Sequence, residues 1–203
     1  MKFGQRFLSS AKELKNLRSL VMIAMLLALR LALGYVTTIR ITPNIKIGFT
    51  IFPTTVLCMM FGPVAGGIAG GVADLVGYLL KPNGIFFPGY TLDCVVAGLI
   101  YGASFYRRER ISLVRVFLTL LTVTVVVNLG MTTTWIAVQT ALPGLLSLFT
   151  DPQVAFHDFG VKFLAILPAR ALKNFIMLPI NTCLVYLVLQ SVRRLLSGQG
   201  VSL

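Results

Sequence analysis

Charge is scarce in this sequence, and negative charge is the scarcer sign. Only 12% of the 203 residues are charged, with six acidic side chains against 18 basic ones. Soluble domains carry about 25% charged residues, so an ordinary globular fold is excluded. The alternation of apolar and polar residues that marks a membrane β-barrel is also missing. No glycine loop is followed by the Lys that cradles phosphates, and Gly62-Pro63 and Gly66-Gly67 do not qualify, so this route to ATP binding is closed. The single His157 stands beside Asp158 with no second His or Cys near it, which argues for a loop role over a metal site. Cys58, Cys94 and Cys183 are odd in number and lie in apolar runs, as packing residues do. Polar linkers, low-complexity tracts and internal repeats are absent, and no motif calls for a cofactor.

What is present is apolar: 57% of the residues are hydrophobic, and the mean hydropathy is +0.88. Crossing a hydrocarbon core ~30 Å thick takes about 20 helical residues, and several such runs fit the chain. The expected fold is an all-α integral membrane protein, a six-helix bundle forming one domain over 1–203. Within it, 1–19 is a lead-in, 20–192 the bundle and 193–203 a tail. The spans fall near Leu20–Ile39, Ile47–Phe61, Val64–Leu80, Tyr90–Tyr106, Ser112–Ala137 and Phe163–Val192. The lead-in is too long and polar for the charged region of a signal peptide, and no small-residue cleavage site follows. It is expected to be an amphipathic surface helix with Phe3 and Phe7 on its apolar side.

The net charge of +12 invites a nucleic-acid partner. Its distribution argues instead for topology. Basic residues cluster before the first span, at Arg107, Arg108, Arg110 and Arg115, and at Arg193 and Arg194. If these clusters are cytoplasmic, both termini are inside.

Several residues within the spans have no place in a purely apolar bundle. Ala24, Ala28 and Ala32 line one face of the first helix, and Arg30 lies about 200° round from Ala28. An Arg in mid-membrane faces the bundle interior, because lipid exposure costs several kcal/mol. The Ala stripe then faces outward, where it either docks a partner or packs within the chain. In the third span, Gly66, Gly70, Ala73 and Gly77 form a small-residue face, best read as close packing within the subunit. Asp74 beside it is a site candidate, or a partner for Arg30.

The loop KPNGIFFPGYTLD carries two turn signals and the aromatics Phe86, Phe87 and Tyr90, which serve either as interfacial anchors or as a wall over a planar ligand. Asp93, in the first turn of the fourth span, suits the helix dipole and is set aside as a ligand contact. Asn128, Thr132, Trp135 and Gln139 make one polar and aromatic stripe on the fifth span. Arg170, Lys173, Asn174 and Met177 make a cationic stripe on the sixth, unless they snorkel outward. All of these lie in the centre or one half of their spans. They define a cavity in which cations outnumber acids, suited to an anionic, planar, hydrogen-bonding ligand.

The run FGPVAGGIAGGVADLVGYLLKPNGIFFPGYTLDCVVAGLIYG, the Ala stripe and the six spans resemble the substrate-binding S components of energy-coupling factor (ECF) vitamin importers. ALRLALG, PNIKIGFTIFP and LPARALKNFIMLPIN look most like the folate-specific members. The resemblance implies a folate-binding subunit, not an enzyme. Such a subunit sits in the cytoplasmic membrane of a prokaryote, docked on a transmembrane coupling subunit driven by two cytoplasmic ATPases. By the same resemblance, Ala24, Ala28 and Ala32 form the docking face, and Phe86, Pro88, Gly89 and Tyr90 form an external gate. Substrate binding would fall to Arg30, Tyr35, Lys46, Asp74, Phe87, Asn128, Trp135, Arg170, Lys173 and Asn174. Other substrates, such as thiamine, riboflavin or a queuosine precursor, stay open. So do a stand-alone secondary transporter and an intramembrane enzyme, which would need a pair such as Asp74 with Asp93.

Overall fold

The protein is described by a computed structural model covering residues 3–36, 39–42, 45–47, 49–82, 86–108, 111–145 and 152–198. An apolar chain surrounded by lipid must satisfy its backbone internally, and helices dominate accordingly. In order they are α1 (Phe3–Glu13), α2 (Leu17–Val36), α3 (Ile51–Leu80), α4 (Pro88–Phe105), α5 (Leu113–Val123), α6 (Thr132–Leu145) and α7 (Pro152–Gly198). A π-helical segment, Thr124–Met131, joins α5 to α6 without interruption. Four of the described helical runs are long and apolar enough to cross a membrane. Large apolar side chains are exposed along them, including Met25, Ile68, Leu118 and Leu172, as lipid-facing surfaces require.

Helix α3 is two limbs. At Gly62 the backbone leaves helical geometry with φ +87°, a conformation that only glycine adopts freely, and Pro63 starts the next limb with its fixed φ. The limbs fold back on each other, since a Cβ on Gly66 would collide with the Cys58 sulfur. Counting them separately gives six helices in the bundle: α2, the two limbs of α3, α4, the α5–α6 run and α7.

Ser10 holds the turn between the limbs. Its fully buried hydroxyl donates to the Phe61 carbonyl at 2.6 Å and accepts the N–H groups of Val64 and Ala65 at 3.1 and 3.2 Å. Thus α1 is more than the surface helix expected from Phe3 and Phe7. It buries Ser10 and Arg6, and Arg6 Nη1 donates to the Ala103 carbonyl at 3.1 Å.

The second limb of α3 lies directly against α4. A Cβ on Gly70 would strike the Cys94 carbonyl, and one on Gly98 the Gly66 carbonyl, so the two backbones touch. The glycine face is therefore intrachain packing, as expected. A buried cluster with Val56, Phe105, Val116, Leu120, Val185 and Leu189 joins the first limb of α3 to α4, α5 and α7.

Three expectations need correction. The presumed loop at Arg40 to Lys46 contains a two-stranded antiparallel hairpin, β1 (Ile39–Thr42) and β2 (Ile45–Ile47), so the fold is helical with one small hairpin. The long polar connection expected at Gln139 to Gly160 is mostly helical, because α6 runs to Leu145 and α7 starts at Pro152. Cys183 is exposed on α7, not within a packed interior, whereas Cys58 is fully buried.

The basic clusters share one end of the bundle. Arg107 pairs with Glu13 of α1 at 3.8 Å, and Leu189 and Val192 near Arg193 pack with Ile111 and Val116 at the start of α5. The opposite end carries the hairpin, Phe87 and the start of α4.

Candidate functional site

At the end away from the arginines, α2, both limbs of α3, α4 and the π-helical segment surround a cavity of about 370 Å³. Its wall includes Arg30, Thr50, Asp74, Asp93, Asn128 and Thr132. A second cavity, of about 350 Å³, shares Arg30, Thr50 and Asp74 and extends to Tyr35, Tyr78 and Lys81. Each volume lies in the range of about 300–1,000 Å³ usual for small-molecule sites. Through their shared residues the two form one composite pocket.

The polar wall is organised around two carboxylates. Asp93 accepts the Thr132 hydroxyl at 2.6 Å and Trp135 Nε1–H at 3.0 Å. Asp74 accepts the Thr91 hydroxyl at 2.7 Å, and the Cys94 thiol lies 4.0 Å from its other oxygen. Arg30 Nη2 donates to the same sulfur at 3.7 Å. Cys94 lies between Arg30 and Asp74, in hydrogen-bond range of each, where a direct salt bridge was an alternative. An ionised carboxylate has about four acceptor positions, so both Asp side chains keep capacity toward the cavity.

The π-helical segment sets the other wall. Its wider turn brings the Thr132 and Thr133 hydroxyls onto carbonyls five residues back, Val127 and Asn128, at 3.0 and 3.2 Å. Such segments often mark functional sites. The Asn128 carbonyl also accepts Arg170 Nη2 at 3.4 Å, which draws the α7 guanidinium to this wall. Arg170 Nε is buried with no partner among the described residues.

Above the carboxylates, aromatic rings close the pocket. Phe87 lies 5.6 Å from Trp135 and 5.9 Å from Tyr90, and Gly89 sits under the indole with no room for a Cβ. The Tyr90 hydroxyl donates to Gln139 Oε1 at 3.0 Å, and Phe86 meets Tyr78 at 5.1 Å. Lys81 Nζ sits 5.3 Å from the Tyr35 ring at the rim.

Most of the residues singled out by sequence converge here: Arg30, Tyr35, Asp74, Phe87, Asn128, Trp135 and Arg170, with Phe86, Gly89 and Tyr90 above them. Pro88 is exposed beside them. Lys173 and Asn174 are half-buried on α7 but line neither cavity. The side chains of Lys46 and His157 lie outside the described residues. Asp93, set aside as a dipole partner, is buried at the centre of the network. The signal for it was the Thr132 and Trp135 stripe, whose donors need a buried acceptor. The wall holds two carboxylates, Asp74 and Asp93, beside the cations Arg30, Lys81 and Arg170. On the outer surface of α2, Ala24, Ala28 and Ala32 are all exposed while Arg30 is half-buried, the orientation expected from the cost of a lipid-facing Arg.

Residues 18–189 match the family of ECF transporter substrate-specific components. This chain belongs to that family. The S component is therefore a multi-pass membrane subunit of a transporter, not an enzyme. Among its relatives, the folate transporter FolT of Clostridium novyi is 33% identical over 90% of this chain and 94% of the relative. FolT of Leuconostoc mesenteroides is 25% identical over 86% and 85%. A solved structure of FolT bound with folic acid is 32% identical, with a TM-score of 0.63 over 85% of this S component and 91% of that chain.

Proposed function

We propose that this S component binds folate at the composite pocket and delivers it across the cytoplasmic membrane when docked on a transmembrane coupling subunit and two ATPases. The observation that carries the reading is the pairing of acceptors and cations under an aromatic cover. Folic acid joins a pterin, whose aminopyrimidine edge donates hydrogen bonds, to an aminobenzoyl ring and an anionic glutamate. Asp93 and Asp74 supply acceptors for the pterin edge, Trp135, Phe87 and Tyr35 supply planar surface, and Arg30, Arg170 and Lys81 supply cations for the carboxylates. Lys46, Lys173, Asn128 and Asn174 remain candidates for holding or orienting the ligand. Phe86, Pro88, Gly89 and Tyr90 act as the gate. The named relatives bear on the same ligand.

The arginine-rich end faces the cytoplasm by the positive-inside rule, which puts both termini inside and the pocket near the outer surface. Ala24, Ala28 and Ala32 form the docking face for the coupling subunit, where small side chains permit close helix approach. The test is titration of the purified protein with folate. Trp135 fluorescence falls on binding, and the protein as purified carries the near-ultraviolet absorbance of a bound pterin. Tight binding of another vitamin with no folate response would overturn the substrate assignment. Uptake by this chain alone in an ion gradient would overturn the transport assignment.

A further inference from the structure

The two chambers of the pocket differ in how closed they are. The one beside Asp93 is walled by the buried Tyr101, Val123 and Val127. The one between α2 and α3 reaches the surface, where Tyr35 is 63% exposed and Lys81 is exposed with it. Asp74, Gly77 and Lys81 line this chamber from one face of α3, and the rise from Asp74 to Lys81 is about 10 Å along the helix. Arg30 and Asp74 line both chambers and mark their junction. The outer chamber is thus a slot with a hydrogen-bond acceptor and a cation at its inner end and a second cation at its rim. Gly77 sets its width. Gly66, Gly70 and Gly98 are required to be small by a sulfur or a backbone pressed against them, whereas a Cβ on Gly77 would meet the Leu31 side chain at 3.7 Å, an ordinary contact. Close helix packing therefore does not account for a glycine at 77, and the room it leaves belongs to the slot.

We propose that this slot carries the glutamate of a bound folate outward and admits folates extended by γ-linked glutamyl residues, with Gly77 as the residue that sets the tolerated tail. The inference rests on the folate reading of the pocket. With the pterin edge on Asp93 and Asp74, the tail runs past Arg30 and along Gly77 to Lys81. Each added glutamyl residue brings one more carboxylate, and burying an unpaired charge is costly. At an exposed rim the added carboxylates keep their water or meet Lys81, so a longer tail avoids that cost.

The test titrates the full chain in detergent with pteroic acid, which lacks the glutamate, with folate and with pteroyltriglutamate, following Trp135 fluorescence. Wild type binds the triglutamate within about tenfold of folate, since exposed charge contacts change affinity little. Gly77→Leu fills the slot. Its affinity for pteroic acid stays at the wild-type value, while that for the triglutamate falls by about tenfold or more, the scale of an overpacked contact. Gly77→Ser, the smaller change, gives the same order with less amplitude, and ligand-free melting curves of both variants separate a blocked slot from a damaged fold. Lys81→Gln lowers triglutamate affinity by about twofold to fivefold, as loss of an exposed ion pair predicts. Rejection of the triglutamate by wild type by more than about tenfold, with folate bound, would overturn the proposal. So would equal losses for all three ligands in both Gly77 variants. Either result leaves the folate reading standing. Wild type that binds none of the three would remove that reading, and this inference with it.

Discussion

Asp93 is where one side chain decides most. Its two acceptor bonds, to Thr132 and Trp135, fix the carboxylate and the indole together, so the proposed recognition surface is held by the chain's own bonds. Asp93→Asn keeps the size but replaces one acceptor oxygen with an NH₂ that faces donors. Folate affinity should fall by about tenfold or more, the usual cost of a charged hydrogen bond lost in a buried site, measured by Trp135 quenching. Trp135→Phe leaves a ring in contact with Phe87 but removes the N–H, and should weaken binding less than Asp93→Asn in a calorimetric titration. The inward orientation of Trp135 was legible because a lone polar stripe on an apolar helix has to face inward. Asp93 was hidden because a carboxylate in a first helical turn already has a local electrostatic explanation, and its true partners are 39 and 42 residues away.

At the level of elements, the molecule depends on contacts between backbones. The second limb of α3 and α4 touch through Gly66, Gly70 and Gly98, and this contact brings Asp74 beside Thr91 and Cys94. Gly98→Ala would drive a Cβ into the Gly66 carbonyl, which cannot yield, so the helices must separate. Gly67→Ala meets the Leu99 side chain at 3.3 Å, which can rotate away, and the Val95 carbonyl at 3.5 Å, an ordinary van der Waals contact. Thermal denaturation in detergent should therefore show a larger loss for Gly98→Ala, about 1–3 kcal/mol as for an overpacked core, than for Gly67→Ala. Ser10→Ala should cost a similar amount, because it strands two N–H groups and one carbonyl in the buried Gly62 turn. The glycine face and the turn were both legible from spacing and from Gly62-Pro63. The role of Ser10 was not, since nothing in a polar lead-in says which hydroxyl will be buried 51 residues away. The π-helical segment was equally silent, because apolar Val and Leu side chains fit an α-helix or a π-turn alike.

For the whole molecule, the two ends carry different chemistry, and the outer face of α2 runs between them. The three basic clusters gather at one end and the pocket opens at the other, a polarity already written in the spacing of Arg and Lys along the chain. Ala24, Ala28 and Ala32 are exposed and Arg30 is turned inward, so the proposed docking and ligand-binding roles fall on different faces of α2 and can be tested separately. Ala28→Trp places a large side chain on that outward face without touching the pocket. In lipid the indole finds an apolar environment as good as the one Ala28 had, so stability and folate affinity should stay within error of wild type. The coupling subunit, however, can no longer approach to the distance that small residues allow. Reconstituted with coupling subunit and ATPases in liposomes, the variant should bind folate normally and lose ATP-dependent uptake. Arg30→Ala should give the opposite pattern, weak binding with assembly intact. If Ala28→Trp instead unfolds the protein, the Ala face is internal packing. If it transports normally, docking uses another surface, and the exposed flank of Ile68, Val72 and Leu75 on α3 becomes the next to alter.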